Sequence, residues 1–580
     1  MAPLMGRILF LVPARGGSVR VPGKNLRLVG GIPLVGRAVR VARAAAAALP
    51  GGPHRVVCST DDPAVGAAAR AWGAEVLDRP VALATADATS LDVALHALDA
   101  LAAGGSGFDT LVLLQPTSPL LEPADVVACV ERHRGHGGAP VTSVVAGHPA
   151  SWHRGMAVDG VLEAVADASG RDVRLAGACY VVAPGDLRSA RTFLPPGRAL
   201  GHVIPASRAV DVDEEEDLVA AEAILAARPV RPLPLAGRAI GTGPVFVIAE
   251  AGVNHNGDPE LARRLVDAVA TAGADAVKFQ TFDPAALAAV GAPTAEYQRR
   301  AGAGAADQRD LLAALALPAE AWAGLQAHAL ARGLVFLSTP FDDGSAALLE
   351  GLGVPAFKVG SGELTNLPFI ARLARRGRPL LISTGMADMV EVAAAVDTVA
   401  ADGDVPLALF HCVSSYPAQP ADANLRAIET LRRAFGVPVG WSDHTPGIEM
   451  PLAAVAMGAR LVEKHVTLDR DLPGPDHRAS LEPDELAAMV RAIRSIEAAM
   501  GTGIKAPVPA EADVARVARR SLHWARALDA GRLVDDGDIA ILRPGTGLAP
   551  ARLVDVVGRR TLRAVAAGDA VAAGDVEGLA

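Results

Sequence analysis

The chain has 580 residues, 51% of them hydrophobic but only 3% aromatic, and its 55 Lys and Arg against 64 Asp and Glu give a formal net charge of −9. That balance excludes wholesale nucleic-acid binding, the length suggests roughly three or four domains, and no apolar run is long enough to suggest a membrane span. The four cysteines (Cys58, Cys129, Cys179, Cys412) lie far apart in apolar runs and read as buried thiols. With an N-terminus that turns polar too early for a signal peptide, they lead us to expect a soluble, cytoplasmic protein.

In chain order, short β-type runs first alternate with Ala-rich helical stretches: "ILFLVPA", "RVVCST", "AEVLDR", "TLVLLQP", "PVTSVV" and "ACYVVAP". Such alternation suggests a parallel sheet with helices on both faces, here over residues 1–228. Residues 229–243, rich in Pro, Gly and Arg, have linker composition. Over 244–500 the alternation restarts, and eight apolar runs each end in a polar cluster: "VFVIAEAGVNHNG", "DAVKFQTF", "LVFLSTPFD", "AFKVGSGE", "PLLISTGM", "LALFHCVSSYP", "PVGWSDHT" and "LVEKHVTLDRD". Eight β/α units predict a TIM barrel with its functional residues at the C-terminal strand ends. A connector is expected over 501–516, and a small, mostly β domain over 517–580. The fold class is α/β throughout the first two domains.

The loop "PARGGSVRVPGKN" after the first strand is not a P-loop, because five residues separate Gly17 from Gly23 and Asn25 follows Lys24. Its backbone N–H groups with Arg15, Arg20 and Lys24 could still cradle a polyphosphate. Asp211 and Asp213 alternate in a strand-like stretch, so both carboxylates are expected on one face, a pairing that suits Mg²⁺ facing a triphosphate. In the barrel, His444 and His465 end adjacent predicted strands and read as metal ligands. Lys278 and Lys358 sit among apolar strand residues, where an anionic substrate would compensate their charge. Gly-Ser and Ser-Thr-Gly pieces at 360–362 and 383–385 add phosphate-friendly donors.

The first loop, "LLQPTSPL" and "DVD" together resemble the sialic-acid-type cytidylyltransferases, which make CMP-nonulosonates from CTP. The resemblance covers about residues 6–228 and implies a Rossmann-like nucleotidyltransferase fold. It implies that Arg15, Lys24 and Asn25 bind the CTP base and phosphates, with Ser90 and Gln115 nearby and Arg79 as a further nucleotide contact. Asp211 and Asp213 are then the Mg²⁺ carboxylates. Val19 stands where that family has Lys, and Ala176 where it has Asn, in the segment that normally helps hold the sugar.

"IAEAGVNHNG", "VKFQT", "KVGSGEL", "ISTGM", "GWSDHT", "EKHVT" and "LPGPDH" resemble, in the same order, the sialic acid synthases, and the tail is similar to their antifreeze-like (SAF) domain. Those enzymes condense phosphoenolpyruvate with an N-acylated mannosamine-like sugar, using Mn²⁺ or a similar divalent ion. The resemblance implies His444 and His465 as metal ligands, and Lys278, Lys358, Ser361, Ser383 and Ser442 as phosphoenolpyruvate contacts. Glu250, Glu363, Tyr416 and Asp476 are implied as sugar or intermediate contacts, with Glu250 or Glu363 as base. Ser414 stands where some relatives have Asn. Arg543 resembles an arginine that reaches the barrel of a second subunit, which implies a domain-swapped homodimer.

The two halves fit one pathway, so a bifunctional enzyme is expected, with phosphoenolpyruvate, an N-acylated hexosamine and CTP as its small-molecule substrates. Two alternatives stand beside it: the same chemistry on legionaminic acid precursors, and an active synthase fused to a decayed sugar-nucleotide-binding domain.

Overall fold

The computed structural model describes residues 6–85, 87–146, 173–295, 299 and 307–579. Met1–Ala499 form one compact unit and Met500–Ala580 another.

The first unit opens with β1 (Ile8–Pro13), whose first five residues are fully buried, as a central strand between two helical layers requires. A hairpin of β2 (Leu28–Val29) and β3 (Ile32–Pro33) follows, then β4 (Arg55–Thr60), β5 (Glu75–Asp78), β6 (Thr110–Leu114), β7 (Val141–Ala146), β8 (Val173–Val182) and β9 (Leu200–Val203). Seven of these make one sheet in the order β5-β4-β1-β6-β8-β7-β9. The sheet is not wholly parallel, because β8 runs antiparallel to both β6 and β7. Alternation in a sequence counts strands without giving their direction. The expected strand at Asp211–Asp213 joins no ladder; Val212 N instead donates to Thr117 O at 2.7 Å.

The stretch of linker composition is structured. β10 (Leu233–Leu235) and β11 (Arg238–Ile240) form an antiparallel hairpin whose Leu233, Leu235 and Ile240 are buried against Phe246, Ile248, Leu381, Phe410 and Leu461. It closes the lower end of an eight-stranded parallel sheet: β12 (Phe246–Gly252), β13 (Ala276–Thr281), β14 (Val335–Pro340), β15 (Phe357–Val359), β16 (Leu380–Ser383), β17 (Leu407–Cys412), β18 (Val439–Asp443) and β19 (Leu461–His465). The order β14-β13-β12-β19-β18-β17-β16-β15 brings β14 and β15 side by side without a ladder, so the barrel is nearly closed. A helix follows each strand, as the eight-unit count requires.

Strand period two sorts the barrel interior by height. Phe246, Ile248, Leu337, Leu381, Phe410 and Leu461 fill the lower layers. The same parity carried upward places Glu250, Lys278, Thr339, Lys358, Ser383, Cys412, Ser442, Glu463 and His465 inside the upper end. Gly440 makes the lower filling possible, since a Cβ there would lie 2.8 Å from Phe410 Cε1 and 2.7 Å from Leu461 O.

Within this unit, barrel helices Met389–Ala401 and Ala427–Phe435 pack onto the first domain, and Ala393 and Ala434 are buried in its core with Val35, Val39 and Ala42. Arg433 pairs with Glu222 at 3.2 Å, and Arg231 pairs with Asp404.

The second unit is small and mostly irregular β. β20 (Ser521–Trp524) pairs antiparallel with β21 (Ile539–Leu542) around a core of Leu522, Trp524, Val556, Val565 and Val576. A helix, Ala512–Ala518, begins inside the stretch read as a connector. No helix among the described residues is long and apolar enough to cross a membrane.

Candidate active site

The upper end of the barrel encloses a cavity of about 420 Å³, lined among others by Glu250, Lys278, Lys358, Ser361, Ser383, Ser414, Tyr416, Ser442, His444, His465 and Asp476. These come from seven different strands or the loops after them, so no local stretch of chain could form the site alone. Register explains much of the convergence: Glu250 lies opposite both Lys278 and His465, and Ser442 lies opposite Glu463.

Two ammonium groups dominate one side. Lys278 Nζ lies 2.7 Å from Glu250 Oε2 and donates to Thr339 Oγ1 at 3.1 Å. Lys358 Nζ donates to Ser383 Oγ at 2.6 Å and lies 5.2 Å from the centre of the Phe410 ring. Between them sits Glu463, with Oε1 3.7 Å from Lys278 and 3.6 Å from Lys358, and accepting from Ser442 Oγ at 3.2 Å. Glu463 was not among the residues singled out from sequence, although its parity with His465 points it inward.

Burial alone would raise the Glu463 carboxyl, but Lys278 and Lys358 hold it down at about 2. Glu250 goes the other way: burial pushes it up to about 7 against the pull of Lys278. Burial lowers Lys358 below its ordinary value, while Lys278 is buried but held raised by Glu250 and Glu463.

Next to Lys358, Ser361 Oγ accepts from Gly385 N at 3.0 Å and lies 3.2 Å from Cys412 Sγ. Gly385 keeps this corner open, since a Cβ there would stand 2.3 Å from Ser414 Oγ and 2.8 Å from Ser361 Oγ. A backbone N–H, two hydroxyls and an ammonium in one recess suit a phosphate or carboxylate.

Across the cavity His444 and His465 face each other with ring centres 5.5 Å apart, and the Tyr416 ring is 4.2 Å from His444. Both imidazoles are lowered by burial, His465 strongly, so both are neutral near pH 7. His444 Nδ1 lies 2.7 Å from Val413 O and must carry the proton there, which leaves Nε2 a lone pair. His465 Nδ1 is buried without a hydrogen-bond partner, with Asp476 Oδ2 at 3.8 Å. Burial raises Asp476 to about 6. Two neutral, facing imidazoles, one with an orphaned ring nitrogen, fit a divalent metal that keeps further positions open for substrate. Among the described residues no group of three or more His, Cys, Asp or Glu side chains is arranged to hold a metal.

One residue expected in this barrel, Glu363, does not line the cavity. Glu363 lies in the 3₁₀ turn Ser361–Glu363 and accepts from Asn366 Nδ2 at 2.8 Å, a local bond that holds it at the outer edge. Arg543 is exposed just after β21, in the second unit.

In the first domain a cavity of about 260 Å³ opens beyond the ends of β1, β5 and β6, and all six expected nucleotide residues line it: Arg15, Lys24, Asn25, Arg79, Ser90 and Gln115. Local bonds position them. Asn25 Nδ2 donates to Arg15 O at 2.8 Å, Arg79 Nη2 to Ser59 O at 2.5 Å, and Gln115 Nε2 to Ser90 Oγ at 3.2 Å. Lys24 ties this cavity to the acidic stretch, donating to Val212 O at 2.6 Å and to Asp213 Oδ1 at 3.1 Å. Asp211 and Asp213 are exposed on either side of buried Val212 in a stretch that forms no strand; Asp211 bonds with Thr117, whereas Asp213 pairs with Lys24. Val19 is 87% exposed. Residues 170–172, which open the segment expected to help hold the sugar, lie outside the described residues.

Three family models match the chain. The NeuB family model matches residues 265–505, that of the cytidylyltransferases residues 9–148, and that of the SAF domain residues 519–577. The N,N'-diacetyllegionaminic acid synthase of Legionella pneumophila is 45% identical over 327 residues, which cover 56% of this chain and 92% of that protein. The enzyme of that name from Campylobacter jejuni is 41% identical over 316 residues, 54% of this chain and 95% of that one. The N-acetylneuraminate-9-phosphate synthase of Mus musculus is 34% identical over 353 residues, covering 58% and 94%. The chain belongs to the NeuB family, with a cytidylyltransferase domain ahead of its barrel and a SAF domain behind it.

Proposed function

We propose that this chain performs two consecutive steps: the barrel condenses phosphoenolpyruvate with an N-acylated hexosamine to a 3-deoxy-nonulosonic acid, and the first domain couples that acid to CTP. The observation that carries the reading is the pairing, in one cavity, of two buried ammoniums with two neutral, facing imidazoles. The first pair suits the phosphate and carboxylate of phosphoenolpyruvate, and the second suits the metal-bound end of an aldose.

In the barrel, Lys358 with Ser361, Ser383 and the Gly385 N–H would hold one anionic group of phosphoenolpyruvate, and Lys278 the other. C3 of phosphoenolpyruvate forms a bond to the aldehyde carbon of the open-chain sugar, water adds at C2, and phosphate leaves with cleavage of its C–O bond. Glu250, raised to about 7 by burial, is suited to take the proton of that water. The lysines would stabilise the charge on the departing phosphate. Both enzyme families are generally dependent on a divalent metal; held by His444 and His465, it would supply Lewis-acid polarisation of the aldehyde oxygen. Tyr416 and Asp476, on the imidazole side, would contact the sugar.

In the first domain, Arg15, Lys24 and Asn25 would hold the CTP phosphates and base, with Arg79, Ser90 and Gln115 completing the cavity. Asp211 and Asp213 would carry Mg²⁺, and the sugar's anomeric hydroxyl would displace pyrophosphate. The gathering of all six side chains in one cavity supports an active domain over a decayed one. The higher identity to the two legionaminic acid synthases, 45% and 41% against 34% for the neuraminate-type enzyme, favours a legionaminate-type acid.

Mass spectrometry after incubation with phosphoenolpyruvate, CTP, Mn²⁺, Mg²⁺ and a mixture of N-acylated hexosamines tests both steps. The expected products are a nonulosonic acid and its CMP conjugate. Phosphate release without the conjugate would refute the second step, and no sugar acid from any hexosamine would refute the first.

A further inference from the structure

Where the two domains of the first unit meet, a separate cavity of about 200 Å³ lies between helix Leu34–Ala48, the turn at 119–123, the end of helix Glu215–Ala227 and the two barrel helices that pack onto them. It has no part in either step above. Three arginines line it: Arg37, Arg40 and Arg228.

Two of these are compensated. Arg40 makes a bidentate pair with Asp397, Nη2 to Oδ1 at 2.7 Å and Nε to Oδ2 at 3.1 Å, and lies 5.1 Å from the centre of the Phe435 ring. Arg228 donates to Glu122 at 3.0 Å, and Glu122 is shared with Arg208 at 2.8 Å. Glu222, also near Arg37, accepts from Gly30 N at 2.6 Å and pairs with Arg433 at 3.2 Å. The neighbouring carboxylates are thus engaged by other arginines.

Arg37 is left with carbonyl partners. Its Nε donates to Val29 O at 2.6 Å and its Nη1 to Pro119 O at 3.4 Å, while Nη2 is buried without a partner. Burial and the nearby Arg40 push it down to about 9. The carboxylate that acts on Arg37, Glu222, is shared with Arg433, so this part-buried guanidinium is under-compensated, and a bound anion would offset the cost of its burial. The volume is below the roughly 300–1,000 Å³ of sites for drug-sized molecules, so the ligand is small.

From this geometry we infer that the seam cavity binds a small phospho-anion, orthophosphate or pyrophosphate, on Arg37 with Arg40 and Arg228 beside it. Its walls lead to both active sites. The turn carrying Pro119 continues from Gln115–Thr117 of the nucleotide cavity, and the helix carrying Asp397 starts just after the Ser383–Gly385 loop. The two ions are also what the proposed reactions release, although the charge argument does not depend on that reading.

The test uses the full chain carrying Lys24→Ala and Lys358→Ala, which removes a phosphate-binding ammonium from each catalytic cavity. Orthophosphate and pyrophosphate are titrated separately by calorimetry at matched ionic strength. Saturable binding of at least one ion is expected, and which one binds identifies the ligand. Adding Arg37→Met should weaken it about tenfold or more. Ala44→Leu, which fills the cavity and keeps every arginine, should do the same and decides the matter if Arg37→Met does not fold. Absence of saturable binding for both ions, or undiminished binding in either folded variant, overturns the inference.

Discussion

Glu250 and Glu463 both lie within reach of the Lys278 ammonium, yet their protons are held with very different strengths. Glu463 faces a second ammonium, that of Lys358, and stays ionised; Glu250 does not, and burial lifts it to about 7. The sign of the consequence for stability follows directly. A carboxyl raised in the folded state favours folding while protonated, so its contribution is present below about pH 4.5 and lost as pH rises through about 7. Asp476, raised to about 6, acts in the same direction. Glu250→Gln should therefore melt lower than the parent near pH 5 and lose part of that deficit near pH 8; a deficit independent of pH would refute the assignment. Its rate should also lose an acid limb near the same value, visible in kcat/KM against pH.

At the same scale, His444→Ala or His465→Ala should cut metal-dependent phosphate release from phosphoenolpyruvate about a thousandfold, the loss of several kcal/mol of Lewis-acid stabilisation. Unchanged release would remove them as ligands. Much of this site was legible because its chemistry falls at strand ends, where polar residues stand out against apolar runs. Glu463 was not, because in "LVEKHV" it reads no differently from Lys464. Strand parity separates them: Glu463 shares the inward face of His465, whereas Lys464 turns to the other side and pairs with Asp443 at 2.5 Å. Glu363 lies off the cavity for a different reason, since its turn binds it to Asn366 and no periodicity in the sequence announces that turn.

At the scale of elements, the β10–β11 hairpin is the largest departure from expectation. Proline and glycine in 229–243 mark a turn as readily as a linker, and only the apolar residues between them hint at burial. Leu233 and Leu235 are each 1% exposed beneath the barrel's lowest layer. Leu235→Ala should cost about 2–5 kcal/mol, measured by chemical denaturation, because the neighbouring strands cannot collapse onto the gap. A cost within a few tenths of a kcal/mol would mean that the hairpin only rests against the barrel. The antiparallel β8 shows another limit of pattern reading: a strand in the middle of a sheet has the same apolar signature in either direction.

For the whole molecule, the first two domains share a core across their seam. Ala393→Asp would place a carboxylate among Val35, Val39 and Ala434, and should lower the melting of both domains together. Calorimetry that shows one domain's transition moving while the other stays would mean that they unfold independently. Arg543 tests the role of the second unit: Arg543→Ala should raise the KM for the sugar several-fold with little change for phosphoenolpyruvate, if a subunit's tail completes another's barrel. Identical kinetics would confine that unit to a structural role.

The chain between the last helix of the first domain, ending at Ala227, and the hairpin that begins at Leu233 is five residues long. Fully extended it spans only ~17 Å. Should the seam open, each domain therefore remains beside the other at an effective concentration on the order of millimolar, set by the tether and not by the cell. Pairs such as Arg40–Asp397 and Arg433–Glu222 then need add only modestly to the shared apolar core, because re-closing the seam is an intramolecular event.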